Sequence, residues 1–396
     1  MRNALTGSER GAGTNMRILH TSDWHLGRQF NGISLEEDHQ AILDQVLVTI
    51  DVRKPDVLII AGDIFDRAAP PASAVRQLNN FVKKVWSDSE TAIVMIAGNH
   101  DSGDRVGAMG VLAAGGRALI SGPLDPVIEP LIIQHESGPV AFSALSFGFE
   151  YAARECFGSE DINCPEHVLR AQMNAARAQL PPGCRWVVTA HAYVEGARNS
   201  ESERSLGRTV GGIETVSPSI FEGADYVALG HLHRPQTASG EHIRYSGSPL
   251  AFGFDDSEHE KSMTLVELAA NGSVTVELVP FTPLRRVRSL RGKLSELLAT
   301  NEQSSDFVKV ILTDASPQID AMKRMRQIYP NAVQLNYETD GAPTGQKLEN
   351  GRSSLDAPQQ VVAQFLSAVR SLEFAKTEQA LVDEALNELA IESDAA

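Results

Sequence analysis

Cysteine is scarce in this chain: Cys156, Cys164 and Cys184 are the three in 396 residues. An odd number with no C-x-x-C pair supports neither a disulfide framework nor a zinc ribbon. Reduced thiols in a cytoplasmic protein are the expected state. Long apolar runs are missing as well. None approaches the roughly 20 residues that a membrane span needs. Residues 1–15 are polar and glycine-containing, lack the apolar core of a secretory signal, and are expected to be a disordered extension. Met16, directly ahead of the first apolar run, is the alternative start. Positive charge is in deficit: 35 Lys and Arg against 51 Asp and Glu leave a net charge of -16. This argues against non-specific DNA binding by the whole surface, because phosphates need local cations. A local basic groove, bound metal ions or a basic partner remain compatible with it.

What is present is a series of short apolar runs, each ending in residues able to bind a metal. Ile18 and Leu19 lead to Asp23 and His25, and residues 57–60 lead to Asp63. Residues 93–96 lead to Asn99 and His100, 186–188 to His191, and 226–229 to His231 and His233. Such runs read as buried strands. Ligands in an open α/β sheet gather outside the carboxyl ends of the strands, so one fold brings all these side chains to one rim. Between the first strands, Ile42, Leu43, Val46, Leu47 and Ile50, and then Val75, Leu78, Phe81, Val82 and Val85, recur at helical spacing. Strand–helix–strand units imply parallel pairing with right-handed crossovers.

From about residue 140 the mix changes. Residues 140–144, 243–246, 263–268 and 274–278 read as strands with few helices among the last three, which predicts a second, more antiparallel sheet. The main domain is expected over 16–282. The cluster Arg285, Arg286, Arg288, Arg291 and Lys293 follows, equally readable as a grip for a duplex and as an exposed edge. A strand–helix–strand pattern at 307–312, 319–328 and 332–337 predicts a small α+β domain over 283–338. Residues 339–354 are a polar linker. The tail, 355–396, carries two short amphipathic helices that pack on the body or dock on another chain.

Carboxylate, amide oxygen and imidazole without thiolate suit a borderline divalent ion such as manganese, iron or zinc. Asp23 and His25 sit two apart, as do His231 and His233; in an extended segment both members of such a pair face one side. The group is too large for one ion, so two are inferred. A metal pair suits phosphate-ester hydrolysis, with one ion activating water and both clamping the reacting oxygens. Asp63, the lone ligand on its strand, is the natural bridge. Asn99 looks like a ligand, which leaves His100 to protonate the leaving oxygen or stabilise developing charge. Asp66 and Asp101 are the options for orienting its ring. Arg28 and Arg67 flank the site. His20, His39, His135, His167, His242 and His259 read as structural.

The blocks Asp-x-His, Gly-Asp-x-x-Asp, Gly-Asn-His-Asp, a later His and Gly-His-x-His resemble the calcineurin-like metallophosphoesterase superfamily, with no ligand missing. The resemblance implies an α/β fold: a two-sheet sandwich flanked by helices, with a small capping domain and a helical tail. It implies that Asp23, His25, Asp63 and His233 hold one ion and that Asp63, Asn99, His191 and His231 hold the other. His100 is then the acid, oriented by Asp66. Residues 16–27, 61–67, 97–102, 225–234 and 245–249 resemble more closely the SbcD family of bacterial nuclease subunits. That likeness implies two divalent ions, most commonly Mn2+, and 3′–5′ degradation of duplex DNA ends with cutting of single strands and hairpins. It also implies a homodimer working with an SbcC-type SMC-like ATPase, to which the tail helices would dock. A phosphatase or phosphodiesterase acting on another substrate is the alternative. A non-catalytic scaffold would be expected to have lost ligands.

Overall fold

The computed structural model describes residues 15–199, 203, 215–299, 303–338 and 379–384. Residues 1–14, most of the loop 194–213, the linker 339–354 and all of the tail but 379–384 lie outside the described residues. Two compact units are defined, Met1–Arg288 and Ser289–Ala396.

The first unit is built on two six-stranded sheets. In the first, Met16–Thr21, Val57–Ile60, Ala92–Ile96 and Ala118–Ser121 run parallel, each next to the one before it in this order. The alternate residues Val57 and Ile59, with Ile18, Val94 and Ile96, face the second sheet and form the sandwich core with Val140, Phe142, Val187 and Ala228. The helices Glu36–Arg53 and Ala72–Asp88 are the crossovers, and they bury the predicted stripes: Ile42, Leu43, Val46 and Ile50 in one, Leu78, Phe81, Val82 and Val85 in the other. Glu36, Glu37 and Asp38 open the first helix and Arg53 closes it, matching the helix dipole.

The second sheet differs from expectation. Ile243–Tyr245, Tyr226–Gly230, Arg185–His191 and Val140–Leu145 are parallel neighbours; only the edge strands Gln236–Thr237 and Leu131–Ile133 are antiparallel. Its outer face is covered by the helix Pro165–Ala178 through Leu169, Met173 and Ala176. The strands Ser262–Leu268 and Val274–Pro280 do not join it. They add antiparallel to the first sheet beside Met16–Thr21. The chain thus returns to its beginning, a long-range pairing that local patterning does not encode.

A three-stranded sheet, Val287–Gly292, Phe307–Leu312 and Ala332–Tyr337, follows. The last two are parallel, and Leu294, Val308, Val310, Leu312, Met325 and Tyr329 form a core of their own. The helix expected at 319–328 is the single short turn Ala321–Met325. In the basic cluster, Arg285 is not available to a duplex. Its guanidinium is bound to the buried Asp38 carboxylate and donates to Ser34 O at 2.8 Å. Arg291 pairs with Glu338 at 2.7 Å.

Candidate metal centre

The parallel strands of both sheets point their carboxyl ends to one rim, and there the ligand-bearing loops are stitched together. Asp23 N donates to Gly62 O at 3.0 Å, His25 N to Asp63 O at 3.0 Å and Leu26 N to Ile64 O at 2.9 Å. Asp23 and His25 converge, but not as an extended pair. Asp23 (φ 53°), His25 (φ 47°), Asp63 (φ 48°) and His231 (φ 104°) are all left-handed. Such backbone costs on the order of 1–3 kcal/mol per residue and persists where surrounding structure over-determines it. Four strained residues within one candidate donor set mark this rim as the functional one.

Among the described residues, three overlapping donor groups have all their ligand atoms within 4.8 Å of one another: Asp23, His25 and His233; Asp23, Asp63 and His191; His25, Asp63 and His100. Asp63 Oδ2 lies 3.7 Å from His25 Nε2 and 3.5 Å from His191 Nε2, between the two halves of the site. Asn99 Oδ1 is 2.9 Å from His191 Nε2. His231 is outside the three groups, its ring 5.4 Å from that of His191, and its main-chain N–H donates to Asp23 Oδ1 at 2.9 Å.

The donor chemistry fits divalent ions. His191 Nδ1 donates to Ala61 O at 2.9 Å, which fixes the tautomer and turns Nε2 towards Asp63 and Asn99. His25 Nε2 and His233 Nε2 face each other at 3.2 Å, an encounter of lone pairs that a proton or a cation must mediate. Asp23 and Asp63 are 0% and 2% exposed, so two carboxylates share a dry site that positive charge must balance.

Burial, with Asp63 adding to it, pushes Asp23 up to about 6, against the pull of His191. Burial opposes the charge on Asp63, yet His191, His25 and His100 hold its carboxyl well below the usual range. Burial likewise opposes charge on His191, but Asp63 and Asp23 raise it to about 9. His25 and His231 are held neutral, chiefly by burial. A pH dependence follows. In the metal-free protein His191 carries a proton below about 9 and Asp23 below about 6, and both must be bare to ligate. Metal affinity is therefore expected to rise with pH up to about 9, by roughly tenfold per unit while one proton is displaced. Below about 6 the dependence steepens as Asp23 adds a second proton. Manganese titration calorimetry in buffers of different ionisation enthalpy checks this; a pH-independent affinity with no proton release overturns it.

His100 is half-buried, the more accessible imidazole of the set. Its Nδ1 meets the main-chain carbonyl of Asp66 at 2.8 Å, not the carboxylate, and the main-chain N–H of His100 donates to Asp63 Oδ1 at 2.9 Å. The Asp66 carboxylate instead lies 3.4 Å from Arg28 and 4.0 Å from His25 Nδ1. Asp101 is structural: it accepts from Gly98 N, Phe65 N and Ile64 N at 2.9, 2.9 and 3.0 Å. Burial and the Asp63 charge push it up to about 7 against those three donors. Arg28 rests over the Phe252 ring, 4.5 Å from its centroid, while Arg67 is exposed. His20, pressed down to about 3 by burial, is held by Tyr226 Oη and Leu229 O.

Several residues escaped the sequence reading. Ser22 donates to Asp23 Oδ2 at 2.6 Å. Asp256, 0% exposed, lies 3.7 Å from His233 Nδ1, and buried Lys261 lies 3.5 Å from Asp256 while donating to His233 O at 2.8 Å. Glu203 Oε1 accepts from His233 N at 2.8 Å. Together they fix the ring that faces His25. Nothing in the spacing around Asp256 ties it to a histidine 23 positions earlier.

Two stacked mixed sheets with a carboxylate, imidazole and amide cluster on their shared rim define a metallophosphoesterase, and the fold implies use of divalent metal. The chain belongs to the calcineurin-like phosphoesterase family, whose model matches residues 16–235. Residues 280–370 match a second family model, described as the type 5 capsule protein repressor C-terminal domain. Among characterised proteins it is similar to the SbcD subunit of nuclease SbcCD from Staphylococcus saprophyticus, 30% identical over 327 residues that cover 82% of this chain and 85% of the relative. The protein of the same name from Staphylococcus epidermidis is 29% identical over 324 residues, 81% of this chain and 85% of the relative.

Proposed function

We propose that this chain is the nuclease subunit of an SbcCD-type complex, a metal-dependent phosphodiesterase that cuts DNA in break processing, recombination and replication. The observation that carries the reading is the donor cluster around Asp63, in a chain similar along four-fifths of its length to the SbcD subunit of that nuclease. Asp23, His25, Asp63 and His233 would hold one ion and Asp63, Asn99, His191 and His231 the other, with Mn2+ in both. Bound there, the ions supply Lewis acidity and water of lowered pKa.

The remaining steps fall to the chain. Asp63 spans the two halves, and the His100 N–H fixes one of its oxygens. With Nδ1 committed to Asp66 O, His100 has Nε2 left to pass a proton to the departing ester oxygen. Its activities are a 3′–5′ exonuclease on duplex ends and an endonuclease on single strands and hairpins. Its partners are DNA, an SbcC-type ATPase and a second copy of the chain. The segment Ala108–Gly115 supports self-association: it is apolar, has no buried residue, and exposes 76% of Val111. The complex works in the cytoplasm. Among the described residues no helix is long and apolar enough to cross a membrane.

The test is digestion of an end-labelled duplex and of a phosphomonoester dye with manganese, wild type beside Asp63→Ala. Asp63-dependent cutting of DNA with negligible dye turnover is expected. Strong dye turnover over intact DNA would replace the reading with a phosphatase.

A further inference from the structure

Arg28 follows His25 closely, and its main-chain N–H donates to His25 O at 3.0 Å, a tight turn that keeps the arginine beside the candidate ligand. Its guanidinium rests on the buried Phe252 ring, 4.5 Å from the centroid. That ring packs edge to face against His25 at 5.1 Å and His233 at 5.4 Å. One nitrogen, Nη1, reaches Asp66 Oδ1 at 3.4 Å. Asp66 also meets His100 Nδ1 through its main-chain carbonyl, so one residue seats both the proposed acid and this cation. The Arg28 side chain stays 19% exposed.

Arginines that only brace this fold spend their donors. Arg185 donates to Leu268 O, Ala269 O, Ser137 Oγ and Gly138 O at 3.0, 3.0, 2.9 and 2.7 Å. Arg285 reaches both Asp38 oxygens through Nε at 3.1 Å and Ser34 O through Nη2 at 2.8 Å. A guanidinium carries five N–H donors. That of Arg28 makes one long contact with Asp66 and, among the described residues, no other hydrogen bond. Stacked in place, open to solvent and with donors unspent, it is shaped for an anion. Its planar fork matches the oxygens of a phosphate.

Which phosphate it meets follows from where it stands. His25 turns Nε2 to Asp63 and His233, whereas the Asp66 carboxylate lies 4.0 Å from the opposite ring nitrogen, Nδ1. The His25 ring and Asp66 therefore stand between Arg28 and the atoms that would hold the ions. We propose that Arg28 binds the phosphate next to the scissile one on the strand being cut. This rests on the nuclease reading and adds to it a contact that selects a polymer. A substrate with a single phosphate has nothing to place there, whereas a DNA strand does.

The experiment compares the full chain with its Arg28→Ala and Arg28→Lys variants, loaded with manganese, on a DNA oligonucleotide cut at one place. A neutral methylphosphonate is set in turn at each phosphate beside the cut. Arg28→Ala is expected to lower kcat/KM on the natural strand by about 10- to 100-fold, the worth of a hydrogen-bonded charge contact. The loss should fall mainly on KM, with manganese content and melting temperature unchanged. In wild type, one methylphosphonate position should cost as much, and at that position Arg28→Ala should cost nothing further. Arg28→Lys should keep the salt dependence of KM, whose slope Arg28→Ala lowers by about one. An Arg28→Ala penalty that is the same whichever phosphate is neutralised, or that comes with loss of manganese, overturns the contact and leaves the nuclease reading intact. So does the absence of any penalty. Wild type that hydrolyses bis(p-nitrophenyl) phosphate but cuts no DNA overturns the nuclease reading itself, and the contact with it.

Discussion

His100→Ala is expected to lower DNA cutting by about 10²- to 10⁴-fold, the usual worth of a positioned acid–base group, while both metal ions stay bound. The geometry separates those two effects. The contact that His100 makes with Asp63 runs through its main-chain N–H at 2.9 Å, which alanine retains. The side chain is tied by Nδ1 to Asp66 O, outside the carboxylate core, so its removal takes a proton donor and leaves the donor set standing. The competing role is concrete, since His100 also falls in a donor group with His25 and Asp63. Metal analysis of the variant decides between them, because a ligand would take its ion with it. A second reading comes from the leaving group. If His100 protonates the departing oxygen, a nitrophenyl diester, whose product is stable unprotonated, should suffer a far smaller loss than DNA. Equal losses on both substrates would overturn the acid role.

The sequence was most legible where one strand delivers one ligand cluster. Asp63 after residues 57–60 and His191 after 186–188 are local facts: an apolar run, then a donor. What failed was the assumed backbone. The Asp-x-His pair is not extended, because Asp23 and His25 both adopt positive φ as their main-chain N–H groups donate to carbonyls of the neighbouring loop. Propensity disfavours that conformation in a non-glycine residue, so only the folded surroundings dictate it. The sheet assignment failed for a different reason. Residues 262–268 alternate no differently from an antiparallel strand of the second sheet; that they pair with Met16–Thr21 is decided by core packing of Val266 and Leu268 against Met16 and Ile18. The role of Arg285 was not legible from its company. With four basic neighbours it is equally readable as part of a grip or of an exposed edge, and its partner Asp38 lies 247 positions away on the first long helix. Asp256 was invisible for the same reason of distance, since its loop meets His233 only after the chain has folded back.

Gly98→Ala is expected to remove metal binding and activity together, although it adds a single methyl group at a residue with no ligand atom. A Cβ at this position would stand 2.2 Å from Asp63 Oδ1, 2.3 Å from Asp63 N and 2.8 Å from Asp63 Cγ. None of these is the loose end of a long side chain. Asp63 is 2% exposed, it is left-handed at φ 48°, and its Oδ1 accepts from His100 N. Retreat in the other direction is closed as well, because a Cβ on Gly62 would already meet Gly98 Cα at 3.0 Å and His191 Nδ1 at 2.5 Å. The two loops therefore touch backbone to backbone, and that closeness is what puts Asp63 between His25 and His191. Opening the gap moves the Asp63 carboxylate, the proposed bridge, by a sizeable fraction of an ångström. A displacement of about 1 Å costs on the order of 100-fold in rate, and loss of the bridge costs more. Overpacking should also lower stability by about 1–3 kcal/mol, so metal content is to be read on folded protein well below its melting temperature. A folded Gly98→Ala variant with both ions and wild-type cutting would show that Asp63 has room to move, and would undo the argument that glycine here is required by the site.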